Sequence, residues 1–335
     1  MKREITRNTE NADKLLSIVV PTYNEAAVLN EFYNRTAAVI DIIEISTEII
    51  FVNDGSSDNS INLLHSLRES DPRIAIVDLS RNFGKEIALT AGLDHAGGDA
   101  VIVIDADLQD PPELIPDLIK EWHNGHDVVY AQRIVRNGES YFKKVTAHLF
   151  YRLIRHSTGR VSIPSDTGDF RLLSRRALDT LLVLREQHRF MKGLFAWIGY
   201  PQKAVQYKRC PRYAGDSKWN YWALWNFAIE GITSFTTSPL RAATYLGLLT
   251  AGGAFLYGFV MIVKTLFFGN AVPGYPSLMV VILFLGGVQL IAIGVIGEYL
   301  GRMFDETKRR PLYVVQEYTP SSQAFEASRD VKSVA

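Results

Sequence analysis

Two long apolar segments near the C-terminal end constrain the fold of this 335-residue chain more than any other feature. The first covers residues 242–263 and contains no charged residue, and the second covers residues 278–296. Each is close to the roughly 20 residues of helix that cross the hydrocarbon core of a bilayer. The segments predict two transmembrane helices, with a hairpin buried in a protein core as the alternative.

The charges that flank these segments predict their orientation. The connection 269–277 has no charged residue, whereas basic residues flank the outer ends of the pair. These residues are Arg241, Arg302, Lys308, Arg309 and Arg310. Because basic residues concentrate in the cytoplasmic flanks of membrane helices, both termini and the part of the chain before residue 241 are expected in the cytoplasm.

The overall composition bears on partners and compartment. The 36 basic and 36 acidic residues cancel, so no net field would recruit nucleic acid. The single cysteine, Cys210, excludes an intramolecular disulfide and fits a reducing compartment. The polar and charged N-terminus is not expected to act as a secretory signal peptide.

Short apolar runs alternate with segments of helical spacing in the first two thirds of the chain. The predicted strands are 16–20, 48–53, 74–79, 100–104, 127–131 and 170–173. This alternation predicts an α/β fold, with a mainly parallel sheet that is flanked by helices on both faces. The polar tail after Glu317 is expected to be disordered.

Polar side chains follow three of these strands where each strand ends, at 21–25, 53–56 and 105–110. Any one of these clusters could be an ordinary turn. The carboxyl ends of parallel strands, however, meet at one edge of a sheet, where ligands bind. Segment 105–110, Asp-Ala-Asp-Leu-Gln-Asp, supplies oxygen ligands that suit Mg²⁺ or Mn²⁺. The pattern therefore predicts a sugar nucleotide held by a metal ion.

Five motifs occur in a fixed order along the chain. They are Pro-Thr-Tyr-Asn-Glu at 21–25, Val-Asn-Asp-Gly-Ser-Ser-Asp at 52–58, Arg-Asn-Phe-Gly-Lys at 81–85, Asp-Ala-Asp-Leu-Gln-Asp-Pro-Pro-Glu at 105–113, and Arg-Tyr-Ala-Gly-Asp-Ser-Lys-Trp at 212–219. In this order they resemble family 2 glycosyltransferases of the GT-A fold. The nearest branch is similar to dolichol-phosphate mannose synthase, and within it to the bacterial polyisoprenyl-phosphate glycosyltransferases that make undecaprenyl-phosphate glucose. The resemblance covers nearly the whole chain.

The resemblance implies a division of the chain into functional parts. The expected parts are a polar extension at 1–14, a cytoplasmic GT-A domain at 15–218, an interfacial helix at 219–240, two transmembrane helices within 241–300 and a cytoplasmic tail at 301–335. Segment 141–154 has apolar residues at helical spacing with basic neighbours, which predicts another interfacial helix. A helix that faces the core is the alternative for this segment.

The resemblance also implies roles for individual residues. The residues expected to bind the nucleotide sugar are Pro21, Tyr23, Asn24, Glu25, Asp54, Lys85, Asp105, Ala106 and Asp107. The residues expected at the divalent metal, Mg²⁺ or Mn²⁺, are Asp105, Asp107 and Gln109. Asp110 precedes two prolines and is interpreted as a helix cap outside the metal site.

Members of this family invert the configuration of the sugar, which implies a displacement in one step. Asp169 lies where the family has a proposed catalytic base, and it is our candidate for that role. The alternative is that Asp169 only orients Arg171 or Arg133. The residues expected at the lipid phosphate and the diphosphate are Arg133, Arg212, Ser217 and Lys218.

The expected function is transfer of one hexose, with glucose from UDP-glucose as the best choice, to undecaprenyl phosphate at a bacterial plasma membrane. The same reaction with another donor such as GDP-mannose is the main alternative. A polysaccharide synthase would need more than two spanning helices, and a non-catalytic scaffold would not need the acidic cluster. A dinucleotide oxidoreductase would need a Gly-x-Gly-x-x-Gly turn after the first strand, where Pro21 stands instead. The paired helices would also allow a homo-oligomer.

Overall fold

The computed structural model describes residues 14–134, 164, 167–208, 238–268 and 274–322. The strands are β1 (Leu15–Thr22), β2 (Ser46–Asn53), β3 (Ile74–Leu79), β4 (Ala100–Val103), β5 (Val128–Arg133), β6 (Thr167–Ser174), β7 (Gln202–Tyr207) and β8 (Val315–Thr319). The α-helices are α1 (Leu29–Ile40), α2 (Ser60–Ser70), α3 (Lys85–His95), α4 (Ile115–His123), α5 (Arg175–Val183), α6 (Met191–Trp197), α7 (Ser238–Phe268) and α8 (Tyr275–Lys308). A short 3₁₀ helix, Pro112–Leu114, precedes α4.

The strands form one mixed sheet in the order β7-β5-β6-β4-β1-β2-β3-β8. The pairs β4–β1, β1–β2, β2–β3 and β5–β7 are parallel, and the pairs β4–β6, β5–β6 and β3–β8 are antiparallel. All six predicted strands are confirmed, with shifts of a few residues at their ends. The carboxyl ends of β1, β2 and β4 therefore lie side by side, as the sequence predicted.

The core lies on both faces of the sheet because successive residues of each central strand point to opposite sides. On one face, Ile18 belongs to a buried cluster with Phe32 of α1 and Leu118 of α4. On the other face, its neighbour Val19 belongs to a cluster with Leu89 of α3. Continuous apolar strands are typical of a sheet that is covered by helices on both sides.

The tail after Glu317 forms regular contacts as far as Ser322, so the predicted disorder was wrong for residues 318–322. β8 pairs antiparallel with β3, and Tyr318 lies opposite Val77. Beyond the strand, the backbone N–H of Ser322 donates to the carbonyl of Pro72 at 2.9 Å. The polar composition suggested disorder, but an edge strand can be held by backbone hydrogen bonds without apolar side chains.

Helices α7 and α8 contain the two apolar segments. Their windows Ala242–Lys264 and Val280–Lys308 have mean hydropathies of 2.0 and 2.5, and neither window is buried in the protein. Both helices are long and apolar enough to cross a membrane. α8 continues past the predicted end at residue 296 as far as Lys308.

Candidate active site

The loops that follow β1 and β2 are joined directly at the carboxyl edge of the sheet. The backbone N–H of Asp54 donates to the carbonyl of Thr22 at 2.9 Å. The backbone N–H of Asn24 donates to Oγ of Ser56 at 3.0 Å, and the amide oxygen of Asn24 accepts from the backbone of Ser57 at 2.7 Å. Asn24 has a positive φ of 54°, which its side-chain bonds help to stabilise. The first two predicted clusters therefore form one continuous surface.

Asp54 fixes the loop that leads into α3. Its two carboxylate oxygens accept hydrogen bonds from the backbone N–H groups of Phe83, at 2.7 Å, and Gly84, at 3.0 Å. Burial raises the pKa of Asp54 although these two bonds favour the charged form. The described contacts thus show Asp54 organising the 81–85 motif, and its predicted contact with the nucleotide remains a prediction.

Gly55 allows this loop to approach so closely. Its φ is +62°, and a Cβ atom at this position would lie 2.5 Å from backbone atoms of Arg81 and Asn82. Only glycine fits both the left-handed backbone and the close contact. Glycine is therefore required at position 55, where the β2 and β3 loops meet.

Lys85, the first residue of α3, lies between two carboxylates. Its Nζ is 2.7 Å from the carboxylate of Asp105, after β4, and 2.6 Å from Oδ2 of Asp169, on β6. Burial of the amine opposes its charged form, but the two carboxylates outweigh this and raise the pKa of Lys85 well above its usual value. The sequence predicted Lys85 as one of several residues that bind the nucleotide sugar, and the structure places it between the two carboxylates at the centre of the site.

Asp169 is buried, with 8% of its side chain exposed, and only its Oδ2 contacts Lys85. Burial would raise its pKa, but Lys85 and Lys192 hold the pKa of Asp169 well below its usual range. Among the described residues, Oδ1 has no hydrogen-bond partner. An ionised, buried oxygen without a donor is costly, and a hydrogen-bond donor on a bound substrate would relieve this cost.

The side-chain partner of Asp169 is neither Arg171 nor Arg133, the two arginines named in the alternative. Arg171 donates to the backbone carbonyls of Gly168, at 2.9 Å, and Asp169, at 3.2 Å. Burial lowers the pKa of Arg171 to about 10, and its guanidinium lies 3.9 Å from the ring centre of Phe195. Arg171 therefore holds the backbone of β6 behind the carboxylate.

Asp110 is not a helix cap, so that interpretation was wrong. It is 2% exposed and accepts a hydrogen bond from the hydroxyl of Tyr207 on β7. Arg133 lies 3.6 Å from Asp110 and donates to the Tyr207 hydroxyl at 3.1 Å. No side chain caps the 3₁₀ helix that follows Asp110. Asp110 and Tyr207 instead orient Arg133, the cation predicted to meet phosphate.

Glu86 is a member of the site that the sequence did not indicate. Its Oε2 accepts a hydrogen bond from the backbone N–H of Met191, at the start of α6, at 3.2 Å. Burial and the nearby Asp169 raise the pKa of Glu86 to about 7. Its position directly after the 81–85 motif was the only hint of a role. Its residue type and spacing are the same as those of an exposed helical glutamate.

The turn 105–109 presents the predicted metal ligands. Leu108 is buried and has a φ of 59°, and the backbone N–H of Gln109 donates to Oδ1 of Asp107 at 3.1 Å. Burial raises the pKa of Asp105 even though Lys85 favours its charged form. Among the described residues, no three His, Cys, Asp or Glu side chains converge as a metal cluster. Two carboxylates and one amide still fit Mg²⁺, which commonly takes one or two carboxylates together with substrate phosphates.

Several predicted residues and segments lie outside the described residues. They are Arg212, Ser217, Lys218 and the predicted interfacial helices at 141–154 and 219–240. Among the predicted site residues that are described, Lys85 contacts both Asp105 and Asp169 directly. Arg133 lies on β5, which is next to β6, the strand that carries Asp169.

Comparison with known proteins agrees with this geometry. The model of the family described as Glycosyl transferase family 2 matches residues 17–182, and that of the GtrB C-terminal hairpin matches residues 238–303. The chain belongs to the family 2 glycosyltransferases, and it carries the C-terminal hairpin described for GtrB.

Two relatives are similar over nearly their whole length. An uncharacterized glycosyltransferase of Synechocystis sp. is 54% identical over 302 residues, which is 90% of this chain and 95% of the relative. The bactoprenol glucosyl transferase of Shigella phage SfV is 50% identical over 301 residues, 90% of this chain and 98% of the relative.

Among solved structures, one similar fold is that of glucosyl-3-phosphoglycerate synthase from Mycobacterium tuberculosis, in complex with Mn²⁺, UDP-glucose and phosphoglyceric acid. It has a TM-score of 0.45 at 21% identity, and the match covers 68% of this chain and 80% of that one.

Proposed function

We propose that this glycosyltransferase moves one glucose from UDP-glucose to a polyisoprenyl phosphate, undecaprenyl phosphate in a bacterial plasma membrane. The observation that carries the proposal is the contact of Lys85 with Asp105 and Asp169 at the strand ends of a chain with an apolar helix pair. The full-length similarity to bactoprenol glucosyl transferases supports the choice of sugar and lipid.

The donor would lie along the joined loops after β1 and β2, with its diphosphate toward the 105–109 turn. Asp105, Asp107 and Gln109 are the residues that would hold a divalent ion, which neutralises charge on the leaving nucleotide. Lys85, already 2.7 Å from Asp105, adds a positive charge at the same place. Such prearranged charges lower the barrier because they need no reorganisation during the reaction.

The acceptor is an oxyanion before it meets the enzyme, since the second pKa of a phosphate monoester is about 6. One of its oxygens attacks the anomeric carbon, the bond from that carbon to the β-phosphate oxygen breaks, and UDP leaves with the bonding electrons. Little base strength is needed, which agrees with the depressed pKa of Asp169. Asp169 instead forms an ion pair with Lys85, and its Oδ1 would accept a hydrogen bond from a protonated phosphate oxygen or a hydroxyl of a substrate.

Arg133 is the described cation best placed to pair with the acceptor phosphate. Its bonds to Tyr207 and Asp110 fix the guanidinium, and Tyr207 and Asp110 outweigh its burial and raise the pKa of Arg133. A prearranged guanidinium can bind two phosphate oxygens at once. An anion attacking an anionic donor needs such a positive charge beside each reactant.

The test is transfer of labelled glucose in detergent, with UDP-glucose, undecaprenyl phosphate and Mg²⁺. The expected product is extractable into organic solvent, and a panel with GDP-mannose and other sugar nucleotides should give less of it. Label that stays in the aqueous phase with every donor would contradict the lipid acceptor, and preference for another donor would contradict glucose.

Metal binding is tested separately from turnover. Asp107→Ala should weaken binding of UDP in the presence of Mn²⁺ by about tenfold or more, because a charged metal ligand is lost. Isothermal calorimetry with and without Mn²⁺ measures this. Asp117→Ala, on α4, is the control. Equal UDP affinity in Asp107→Ala and wild type would remove Asp107 from the metal site.

A further inference from the structure

The segment after the second apolar helix returns to the catalytic domain and runs along it. We call residues 310–322 the C-terminal strap. α8 ends at Lys308, and the left-handed backbone of the next residue, Arg309 (φ 48°, ψ 38°), turns the chain away from the helix axis. β8 then adds the strap to the edge of the catalytic sheet, next to β3. The strap therefore links the membrane helix directly to the domain that carries the active site.

The direction of the strap fixes which edge of the sheet lies near α8. β8 is antiparallel to β3, and Val315 pairs with Leu79 at the carboxyl end of β3, while Thr319 pairs with Ile76. The strap thus enters the sheet at the edge where the active site lies. The connection from Lys308 to Val315 can span at most about 24 Å, so the end of α8 stays within that reach of this edge.

The strap also holds the helix that carries Lys85. The Tyr313 hydroxyl donates to Asp94 of α3 at 2.7 Å, and the ring of Tyr318 lies 4.7 Å from the ring of His95. Asp94 accepts two further bonds from Arg185, each at 2.8 Å. Lys85 is the first residue of α3 and these contacts lie at its last turn, so the strap fixes the helix end opposite the site.

The far end of the strap is anchored in a buried polar contact. Oγ of Ser321 donates to Oε2 of Glu48 at 2.9 Å, and both side chains are buried. The other oxygen of Glu48 accepts from Ser17 at 2.6 Å and from the backbone of Gly97 at 3.0 Å. Losing one donor to a buried carboxylate is costly, so this anchor opposes release of the strap.

α8 is long enough to extend beyond a membrane and contact the catalytic domain with its last turn. Its 34 residues extend about 51 Å, whereas a hydrocarbon core is about 30 Å thick. At its end, Asp305 lies 3.0 Å from His188, and Glu306 accepts from the backbone of Gln187 at 2.7 Å. These contacts are exposed, and exposed polar pairs each contribute only about 0–1 kcal/mol. The strap, with its strand pairing and buried anchor, is the stronger connection.

We propose that the C-terminal strap is a positioning element for the acceptor. It holds the carboxyl edge of the sheet at a fixed place relative to the membrane helix, so that a phosphate presented by a bilayer reaches Asp169 and Arg133. This inference rests on the proposed function. It requires that loosening the strap impairs transfer to an acceptor embedded in a membrane and spares transfer to a short acceptor in solution.

The test loosens the connection without removing β8. About six flexible Gly and Ser residues are inserted between Pro311 and Leu312, near the start of the strap, which lengthens the connection between α8 and β8. Transfer to undecaprenyl phosphate in phospholipid vesicles should fall about tenfold or more, because misplaced reactants lose rate steeply. Transfer to citronellyl phosphate in solution should stay within about twofold of wild type.

The matched control carries the same insertion after Ser322, beyond the last strap contact among the described residues, and should match wild type with both acceptors. A second variant, Ser321→Glu, puts a carboxylate against buried Glu48 and should release the end of the strap, giving the same difference between acceptors. Gln316→Glu adds the same charge at an exposed position of β8 and serves as its control.

Three outcomes would count against the inference or its basis. Equal losses with both acceptors, together with a lower melting midpoint, would show that the strap only stabilises the fold. Unchanged transfer from vesicles after the insertion would show that the strap does not position the acceptor. Wild-type enzyme that transfers glucose to neither acceptor would instead overturn the proposed function.

Discussion

Lys85 is the residue on which the charge arrangement of the site depends. It stands between Asp105 and Asp169, and without it two carboxylates would face each other with no cation between them. Lys85→Met should therefore lower the turnover number about 100-fold or more, while Lys85→Arg should retain part of the activity. Initial rates of labelled glucose transfer measure both variants.

The control for this change is Lys203→Met, on the exposed side of the outer strand β7, which should leave the rate unchanged. A Lys85→Met enzyme that keeps turnover within about twofold of wild type would show that the ammonium group is dispensable, and that another cation serves the diphosphate.

Glu86 predicts a dependence of stability on pH. Its pKa is about 7 in the folded protein and near 4.5 when unfolded, so the folded protein holds a proton between these values that the unfolded chain releases. Stability therefore decreases as the pH rises through this window. Glu86→Gln cannot ionise, so it should be more stable than wild type by roughly 1–3 kcal/mol at pH 8, and equal to it at pH 4.5.

Melting midpoints of the two proteins in detergent, measured from pH 4.5 to 8, check this difference. Glu317→Gln, at an exposed position of β8, is the control. A stability difference between Glu86→Gln and wild type that does not change with pH would mean that Glu86 ionises alike in both states.

At the scale of elements, the sequence predicts the strands that are buried on both faces. β4 is a continuous apolar run, and β1 is apolar from Leu15 to Val20 except at Ser17; such strands have few other stable arrangements. β7 and β8 were missed because Gln-Lys-Ala-Val-Gln-Tyr and Val-Gln-Glu-Tyr-Thr resemble polar loops. Edge strands are held by backbone pairing, to which side-chain patterns contribute little.

In the site too, the sequence predicts features that depend on neighbouring residues and misses contacts between residues far apart in the chain. The sequence places Asp105 and Asp107 at a strand end because the signal lies in neighbouring residues. It does not show that Lys85 contacts Asp169, since 84 residues separate the two. It also misassigned Asp110, whose partner Tyr207 belongs to an edge strand 97 residues away. Pairings across the sheet depend on strand order, which local patterns do not specify.

The contact between the β2 and β3 loops can be tested at Gly55. Gly55→Ala would place Cβ 2.5 Å from the backbone of Arg81, and this backbone cannot move without breaking the bonds of Asp54 to Phe83 and Gly84. We expect a loss of about 2 kcal/mol or more in the free energy of unfolding, and weaker binding of UDP.

Gly125→Ala separates backbone strain from the clash. Gly125 also has a positive φ, of +96°, but its Cβ would meet nothing within 4 Å. Its cost should be about 1 kcal/mol, with UDP affinity unchanged. Chemical denaturation and calorimetry measure both variants, and equal effects of the two changes would contradict a specific role of the loop contact.

At the scale of the whole molecule, the catalytic sheet and the helix pair are joined by the segments at both ends of the pair. The described connection runs from α8 through the C-terminal strap into the edge of the sheet. Since the strap and the catalytic domain are in contact, they must lie on the same side of any membrane that α7 and α8 cross. The charge pattern predicts that this side is the cytoplasm.

Labelling of single cysteines tests this topology. In a Cys210→Ser background, Ala271→Cys lies in the uncharged connection between the apolar segments, and Ser322→Cys lies at the end of the strap. A maleimide that cannot cross membranes should label position 271 in intact bacterial spheroplasts, and position 322 only after the membrane is opened. The two positions must give opposite results, because α7 and α8 would each cross the bilayer once. The reverse labelling would place the active site outside the cytoplasm, away from nucleotide sugars, and labelling of both positions in intact spheroplasts would mean that the helix pair does not span the membrane.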